Sequence, residues 1–492
     1  MGPYSGSILT VGKVGSSPMD MMKGIAGLAS DSREVKPGYL FAALPGSRAD
    51  GSQFIDDAVK RGATVVLGRP QIRRDAEALG VRFVSDENPR ARLARMAAQF
   101  FGAQPKTIAA VTGTNGKTSI SVFLRQIWDV AGFKAASMGT IGVVTKDGAR
   151  ALAHTTPDPI ETHRLLAELA KSGIDHLALE ASSHGLDQYR LDGVDIAAVA
   201  FTNITRDHLD YHADFAAYLA AKLRLFSEVA RDGAAAVVNA DAAQADVFVA
   251  AARARGLRIL TVGANGETLK LVHRVPHADG QTLDVVYEGR TYKIALPLAG
   301  EFQASNALVA AGLAIALGQS ADTVFAALTH LTGAPGRLEK VAYAKSGAPI
   351  YVDYAHTPDA LETVLKALRP HVANRLAVVF GCGGDRDKGK RPLMGEAAAE
   401  FADRVVVTDD NPRNEDAAVI RREILAGCPG AVEIGDRAQA IRDGIAGLGH
   451  GDCLVIAGKG HEAGQIVGAD VRPFCDRDQA IKAAESLGGK RA

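Results

Sequence analysis

The segment Val111-Thr112-Gly113-Thr114-Asn115-Gly116-Lys117-Thr118-Ser119 constrains this chain more than any other. It follows a continuous apolar run at 107–111 and leads into a segment of helical pattern. Small residues between a buried strand and a helix leave backbone N–H groups exposed to an anion. The helix N-terminus adds positive potential, Lys117 neutralises phosphate charge, and the Thr118 hydroxyl is suited to Mg²⁺. Val111 stands where the general phosphate loop has its first Gly. A Gly-rich turn with a surface lysine is the plainer reading; the strand–loop–helix context favours phosphate.

The rest of the chain is organised around that loop. Further strands are expected at 177–179, 197–201, 235–238 and 259–262, with helical segments between them, and such alternation implies a mainly parallel, doubly wound sheet. Runs at 282–287 and 292–296 flank Glu288-Gly289-Arg290 and read as a β-hairpin. Gly102-Ala103-Gln104-Pro105 and Leu331-Thr-Gly-Ala-Pro-Gly336 punctuate the pattern. A chain of 492 residues is too long for one core. The expected fold is therefore α/β in three domains: an N-terminal α/β domain (1–104), the central phosphate-loop domain (105–333) and a smaller Rossmann-like domain (334–492). The first domain has strands expected at 39–43, 64–68 and 81–84 and a helix at 91–101. The last has strands at 350–352, 376–380, 405–407 and 454–456, with helices at 358–368, 416–426 and 438–445.

Composition narrows the function classes. Lys plus Arg equals Asp plus Glu at 56 each, so no overall field favours nucleic acid or anionic membrane. No apolar run approaches the roughly 20 residues of a membrane helix, and the first residues do not read as a signal peptide. Cys382, Cys428, Cys453 and Cys475 are scattered, with no C-x-x-C pair, and read as reduced, buried thiols. A cytoplasmic location is expected.

A second cluster, Glu180-Ala-Ser182-Ser-His184-Gly-Leu-Asp-Gln188-Tyr-Arg190, follows the expected strand at 177–179. Ligands collect at the C-terminal ends of such strands. Glu180 is thus placed to bind metal beside the phosphates, and Ser182, Gln188 and Arg190 offer polar contacts to an oxygen-rich substrate. The next strand ends in Asn203-Ile-Thr-Arg206-Asp207-His208. Each residue alone favours a structural role; together, at consecutive strand ends, they favour a metal and substrate site.

These motifs, with Thr155-Thr156-Pro157 and Asp353-Tyr-Ala-His356-x-Pro358, resemble the Mur ligases, ATP-dependent amino-acid-adding enzymes of peptidoglycan synthesis. The resemblance runs from Asp31-Ser32-Arg33 to Gly458-Lys-Gly-His-Glu462. It implies ATP contacts from Gly113, Thr114, Asn115, Gly116, Lys117, Thr118, Ser119, Asn306, Arg337 and Asp353, with Gln303 replacing the usual Asn. It implies that Ser30, Ser32, Ser47, Arg48 and Ala49 hold the uridine diphosphate of UDP-N-acetylmuramoyl-L-alanyl-D-glutamate, Ser47 standing where some relatives place a His. Thr155, Thr156, Ser182, Gln188 and Arg190 would contact its muramoyl-peptide. The implied metal set for Mg²⁺ is Thr118, Glu180, His208 and Lys222, and Lys117, Glu180, His208 and Lys222 are the implied catalytic residues.

Lys222 reads from sequence alone as a surface helical lysine. In the family the matching lysine is carbamylated, which turns a cation into a carboxylate able to bind a hard metal; reaction with CO₂ needs a neutral amine and hence a lowered pKa. Arg386, Asp410, Asn411, Pro412, Arg413, Gly458 and Glu462 resemble the site for meso-2,6-diaminopimelate, the Asp-Asn-Pro-Arg form being the one associated with that amine. The plainer reading of Asp410–Arg413 is an Asx turn opening a helix. The implied reaction activates a carboxylate as an acyl phosphate and joins it to the amine. A monomer, without membrane insertion, is expected. Competing expectations are a lysine-adding relative, a folylpolyglutamate synthase, or a non-catalytic nucleotide switch.

Overall fold

The computed structural model describes residues 22–46, 50–205, 207 and 211–492. Ser47, Arg48, Ala49 and His208 lie outside the described residues. The chain forms two compact units. One takes the described residues up to Gln104 with Asp158–Glu168 and Gln188–Val194; the other takes the remainder.

In the first unit, strands Gly27–Ala29, Tyr39–Ala42, Ala63–Gly68 and Arg82–Ser85 form a parallel sheet in that order. Successive side chains of a strand point to opposite faces, and both faces are buried here. Leu40, Ala42, Val65 and Leu67 pack with Leu93, Met96 and Ala97 of the helix Pro89–Phe101. Phe41, Ala63 and Val66 pack with Ile55 and Ala58 on the other side. Asn88 caps the helix Pro89–Phe101, its side-chain oxygen accepting from Ala91 N at 3.1 Å.

The second unit holds an eleven-stranded sheet, counted among the described residues. Its order is Arg290–Leu296, Gly280–Tyr287, Leu269–His277, Arg258–Gly263, Ala235–Asn239, Ile196–Phe201, Thr107–Thr112, His176–Glu180, Ala135–Gly139, Gly142–Thr145 and Gly148–Arg150. The strand Thr107–Thr112 runs parallel to both its neighbours. The next parallel strand in sequence, Ala135–Gly139, lies beyond His176–Glu180 rather than beside Thr107–Thr112. Strand order therefore reverses beside Thr107–Thr112, and an open α/β sheet places its binding crevice at such a point.

Apolar helices fill one face of this sheet. Ile120, Phe123, Leu124 and Ile127 of Lys117–Val130 share a core with Leu308, Ala311 and Leu313 of Glu301–Ala316. Trp128 is fully buried and satisfies its indole N–H on Gln319 Oε1 at 3.1 Å. The expected hairpin is present: Gly280–Tyr287 and Arg290–Leu296 pair antiparallel, and the turn residues Glu288 and Gly289 have φ of 48° and 75°. Positive φ at both turn residues suits the right-handed twist of the strands. The strand Leu269–His277, which pairs with the hairpin, lies outside the expected runs: it contains Pro276 and exposes Val272 and Val275, so it shows no apolar run.

A seven-stranded sheet follows in the same unit, in the order Val432–Glu433, Arg404–Val407, Leu376–Phe380, Cys453–Ala457, Pro349–Asp353, Glu339–Tyr343 and Lys490–Arg491. Its four central strands are parallel and match the expected runs, and helices Pro358–Leu368, Ala417–Leu425 and Arg437–Ala446 fall where expected. The short edge strands Val432–Glu433 and Lys490–Arg491 are exposed and carry no continuous apolar run, so they lie outside the expected set. Cys382, Cys428 and Cys453 are buried free thiols, and Cys475 is half-buried.

Candidate active site

The phosphate-loop backbone is tied to the end of the neighbouring strand Ile196–Phe201. Thr114 N donates to the Asn203 carbonyl at 2.8 Å and Asn115 N to Asn203 Oδ1 at 3.1 Å. Thr202 Oγ1 donates to the Asn115 carbonyl at 2.6 Å. Two loop N–H groups are thus committed to Asn203. The first turn of Lys117–Val130 adds N–H groups that the helix cannot satisfy internally and that are available to an anion. Gly113 has φ of 149°, and a Cβ there would stand 1.8 Å from Thr202 Oγ1, so only glycine fits.

Thr118 and Glu180 meet as the sequence implied. Thr118 Oγ1 donates to Glu180 Oε2 at 3.0 Å. The same carboxylate accepts from Thr140 N at 2.8 Å and Thr140 Oγ1 at 3.1 Å. Thr140 is absent from the expected site; it directly follows the strand Ala135–Gly139, itself outside the expected runs, and the strand-end rule that singles out Glu180 applies to it once that strand is seen. With its proton on Glu180, Thr140 Oγ1 accepts from Thr155 Oγ1 at 3.1 Å. Thr156 Oγ1 donates to the Glu180 carbonyl at 2.9 Å and accepts from Ser182 N and Oγ at 3.1 and 3.0 Å. Two hydroxyl chains therefore meet at Glu180: Thr155 through Thr140 to its carboxylate, and Ser182 through Thr156 to its carbonyl.

Lys222 corrects its plain reading. It is 1% exposed, not a surface lysine. Its Nζ donates to the Gly113 carbonyl at 2.7 Å and lies 4.5 Å from the centroid of the Tyr218 ring. Lys117 Nζ donates to the same carbonyl and to that of Thr114, both at 2.8 Å. Burial pushes the Lys222 amine down to about 6, the Lys117 cation adding to the effect and Asp207 opposing it. Burial also lowers Lys117. Tyr218, whose hydroxyl lies 2.9 Å from Thr114 Oγ1, is pushed up to about 12 by burial. Among the described residues no three His, Cys, Asp or Glu side chains form a metal cage. The donors beside the loop are hard oxygens, the Thr118 hydroxyl and the Glu180 carboxylate, together with a lysine amine held near neutrality. That set suits a hard divalent cation such as Mg²⁺.

On the nucleotide side, a Cβ at Gly116 would lie 2.4 Å from Asn306 Oδ1, so Asn306 sits directly against the loop. Asn306 Nδ2 donates to Gln303 Oε1 at 3.1 Å, and Gln303 Nε2 donates to the Arg337 carbonyl at 2.9 Å. The Arg337 guanidinium lies over the Tyr354 ring at 4.8 Å. Gln303 thus links loop and Arg337 segment, a role its sequence position did not reveal. Asp353 is buried and accepts from Leu338 N at 2.6 Å and Ala355 N at 2.7 Å. Its carboxylate shapes backbone around the site; burial raises its pKa, opposed by Arg337 and those N–H groups.

The remaining implied sugar contacts belong to the first unit. There Arg190 Nε and Nη2 donate to Gln188 Oε1 at 3.2 and 2.7 Å. Ser32 is buried in the short turn capped by Asp31, and Ser30 is exposed.

The diaminopimelate candidates follow three strands: Arg386 follows Leu376–Phe380, residues 410–413 follow Arg404–Val407, and Gly458 and Glu462 follow Cys453–Ala457. Arg413 has a φ of 51° and its Nη1 donates to the Gly384 carbonyl at 2.8 Å, while Arg386 is exposed on the loop that follows. Asn411 Nδ2 donates to Glu462 Oε2 at 2.9 Å. Lys459, fully buried and unmarked in the sequence, donates to Asn411 Oδ1 and Glu462 Oε2, each at 3.0 Å. Asp410 is buried against Gly458, where a Cβ would approach its Oδ2 to 2.7 Å; burial raises Asp410, with Arg437 and Lys459 opposing. Arg437 pairs bidentately with Asp476 at 2.7 Å and donates to the Ala457 carbonyl at 2.9 Å, fastening the strand end beneath Gly458. Asp410 Oδ1 accepts from Asn411 N at 2.7 Å, one residue on where an Asx turn needs two, and the next helix, Ala417–Leu425, is capped by Asp416 instead.

Comparison with known proteins gives three family matches: residues 24–101 to the Mur ligase family catalytic domain, 111–314 to the Mur ligase middle domain, and 336–460 to the Mur ligase glutamate ligase domain. A protein of Bradyrhizobium diazoefficiens, named UDP-N-acetylmuramoyl-L-alanyl-D-glutamate–2,6-diaminopimelate ligase, is 55% identical over 94% of this chain and 95% of its own. A solved structure bearing the same enzyme name is 36% identical, covers 94% of this chain and 95% of its own, and has a TM-score of 0.73. A MurF ligase from Thermotoga maritima, solved with ADP, is 18% identical over 94% of this chain and 97% of its own, with a TM-score of 0.59, and shares the fold.

Proposed function

The chain belongs to the Mur ligase family, and from that premise we propose that it joins meso-2,6-diaminopimelate to UDP-N-acetylmuramoyl-L-alanyl-D-glutamate, using ATP. One juxtaposition carries the reading. A phosphate loop whose Thr118 touches Glu180 occupies the crevice of one sheet, and a loop cluster holding Arg413, Asn411 and Glu462 occupies the strand ends of the other. The first suits phosphoryl transfer to a carboxylate. The second suits an amine whose far end carries both an ammonium and a carboxylate.

In the reaction, the D-glutamyl side-chain carboxylate attacks the γ-phosphorus of ATP, releasing ADP and leaving an acyl phosphate. Lys117 leaves the Gly113 and Thr114 carbonyls to meet phosphate oxygens, and the first-turn N–H groups steady the charge that spreads over them. Mg²⁺, held through Thr118, Glu180, His208 and Lys222 as its carbamate, supplies further neutralisation of phosphate charge when bound. Thr155, Thr156 and Ser182 orient the peptide carboxylate. The neutral amine of diaminopimelate then attacks the acyl carbon and phosphate departs. Arg413 and Arg386 pair with the distal carboxylate, and Glu462 with the distal ammonium. The three parts 1–104, 105–333 and 334–492 divide the work among nucleotide-sugar, ATP and amine. The reaction takes place in the cytoplasm, on a monomer.

The test is ADP release from purified protein supplied with the nucleotide-sugar dipeptide and, separately, meso-diaminopimelate, L-lysine or no amine. Turnover is expected with diaminopimelate. Equal turnover with lysine, or without any amine, would overturn the reading.

A further inference from the structure

Lys459 lies outside the amine contacts assigned above, yet it is the buried centre of that cluster. Its side chain has 0% exposure, and its Nζ reaches Asn411 Oδ1 and Glu462 Oε2 at 3.0 Å each. Asn411 Oδ1 also accepts from Ile466 N at 2.9 Å. With two donors on that oxygen, the amide has one orientation, and Nδ2 is turned onto Glu462 Oε2 at 2.9 Å. Glu462 Oε2 therefore carries two donors, while Oε1 has no bonded partner among the described residues, in a side chain 35% exposed.

Building on the proposed function, we infer that Lys459 is a specificity-determining positioning residue: it neutralises Glu462 and leaves one oriented oxygen for an ammonium, so that the pocket cannot hold an amine lacking a distal carboxylate. An ion pair is held between Lys459 and Glu462, and the cations Arg413 and Arg386 remain for the substrate. A zwitterionic distal end satisfies both. Lysine brings a lone distal cation to Glu462, which is already paired with Lys459, and leaves the guanidinium groups without a carboxylate. Like-charge juxtaposition of this kind rejects a wrong partner without weakening the right one.

The inference separates two variants that simple loss of packing would not. In Lys459→Met, Glu462 becomes an uncompensated acid, and the KM for lysine should fall while the diaminopimelate-to-lysine ratio of kcat/KM narrows by roughly tenfold or more. Adding Glu462→Gln to Lys459→Met removes the exposed charge again and should widen the ratio relative to Lys459→Met alone. Equal loss with both amines in Lys459→Met, with no widening in the double variant, would overturn the inference. Wild-type protein run beside them separates the two readings. If wild type does not use diaminopimelate, the proposed function fails; if it does and Lys459→Met leaves the ratio unmoved, only the role of Lys459 fails. Should thermal melting show that Lys459→Met does not fold, Glu462→Gln alone carries the test. Lys459 is then uncompensated and the ratio should widen; an unchanged or narrowed ratio would overturn the inference.

Discussion

At Lys222 a long cationic side chain is enclosed on a backbone carbonyl it shares with a second lysine. Two ammonium groups on one carbonyl repel each other, and burial removes the water that would screen them, which is why the amine is held near neutrality. A neutral amine is the form that adds CO₂. Lys222→Ala should therefore lower kcat by roughly 100-fold or more, the scale of losing one preorganised charge contact. Bicarbonate should do little for the variant, whereas a short carboxylic acid in excess should restore part of the rate; wild-type turnover in the variant would remove Lys222 from the site. Arg413 invites a different measurement. Its Arg413→Ala variant should lose kcat/KM for diaminopimelate without gaining it for lysine, since no new acid is created. A site that pairs a polar group can reject an analogue lacking it by up to about 10⁴-fold, so the ratio has a long way to fall. Survival of the ratio in the variant would show that another group reads the carboxylate.

Among elements, the phosphate loop depends on a strand it does not belong to. Asn203, at the end of Ile196–Phe201, accepts two loop N–H groups, one on its backbone and one on its side chain. Asn203→Ala keeps the backbone bond and deletes both side-chain contacts, the one accepted from Asn115 N and the longer one that Nδ2 donates to the Asn115 carbonyl at 3.4 Å. Removing such a contact costs about 1 kcal/mol, so the KM for ATP should rise roughly fivefold, with the melting temperature nearly unchanged. A variant whose ATP dependence matches wild type would show that the loop holds its shape through Thr202 and Gly113 alone.

Across the molecule, buried ion pairs tie distant segments together. Arg437 and Asp476 have no exposed side-chain surface, and Arg437 also holds the Ala457 and Asp409 carbonyls. Arg437→Ala leaves an unpaired buried carboxylate, and such a loss costs about 3–5 kcal/mol; a urea midpoint unchanged from wild type would contradict this. Arg391 is likewise buried, between Glu415 and Glu423. Its hydrogen bonds hold the Glu415 carboxyl down to about 2, against an ordinary value of 4.5. Between those values the unfolded chain binds the proton and the folded one does not. The stabilisation is thus complete above pH 4.5 and is lost as pH falls towards 2. Acid titration of unfolding should show this slope, and Glu415→Gln should flatten it.

The sequence by itself determined the elements that rest on local pattern. The run at 107–111 and the small residues after it can form little but strand, loop and helix, and central parallel strands such as Ile196–Phe201, Leu376–Phe380 and Cys453–Ala457 are continuous apolar runs because both their faces are buried. Glu180 and Thr118 were readable for the same reason, each standing at a strand or loop end where ligands collect. Tertiary structure decided what distance along the chain conceals. Thr140 reaches Glu180 only because Ala135–Gly139 is laid beside His176–Glu180. Lys222 has the surroundings of a helix surface in sequence, and becomes buried because its helix packs against a loop more than 100 residues earlier. Lys459 reads as one more charge in a Gly-rich turn until Asn411 and Glu462 close around it. Periodicity encodes which face of an element is buried; the partner that a charged side chain meets there depends on strand order, and strand order is a property of the assembled sheet.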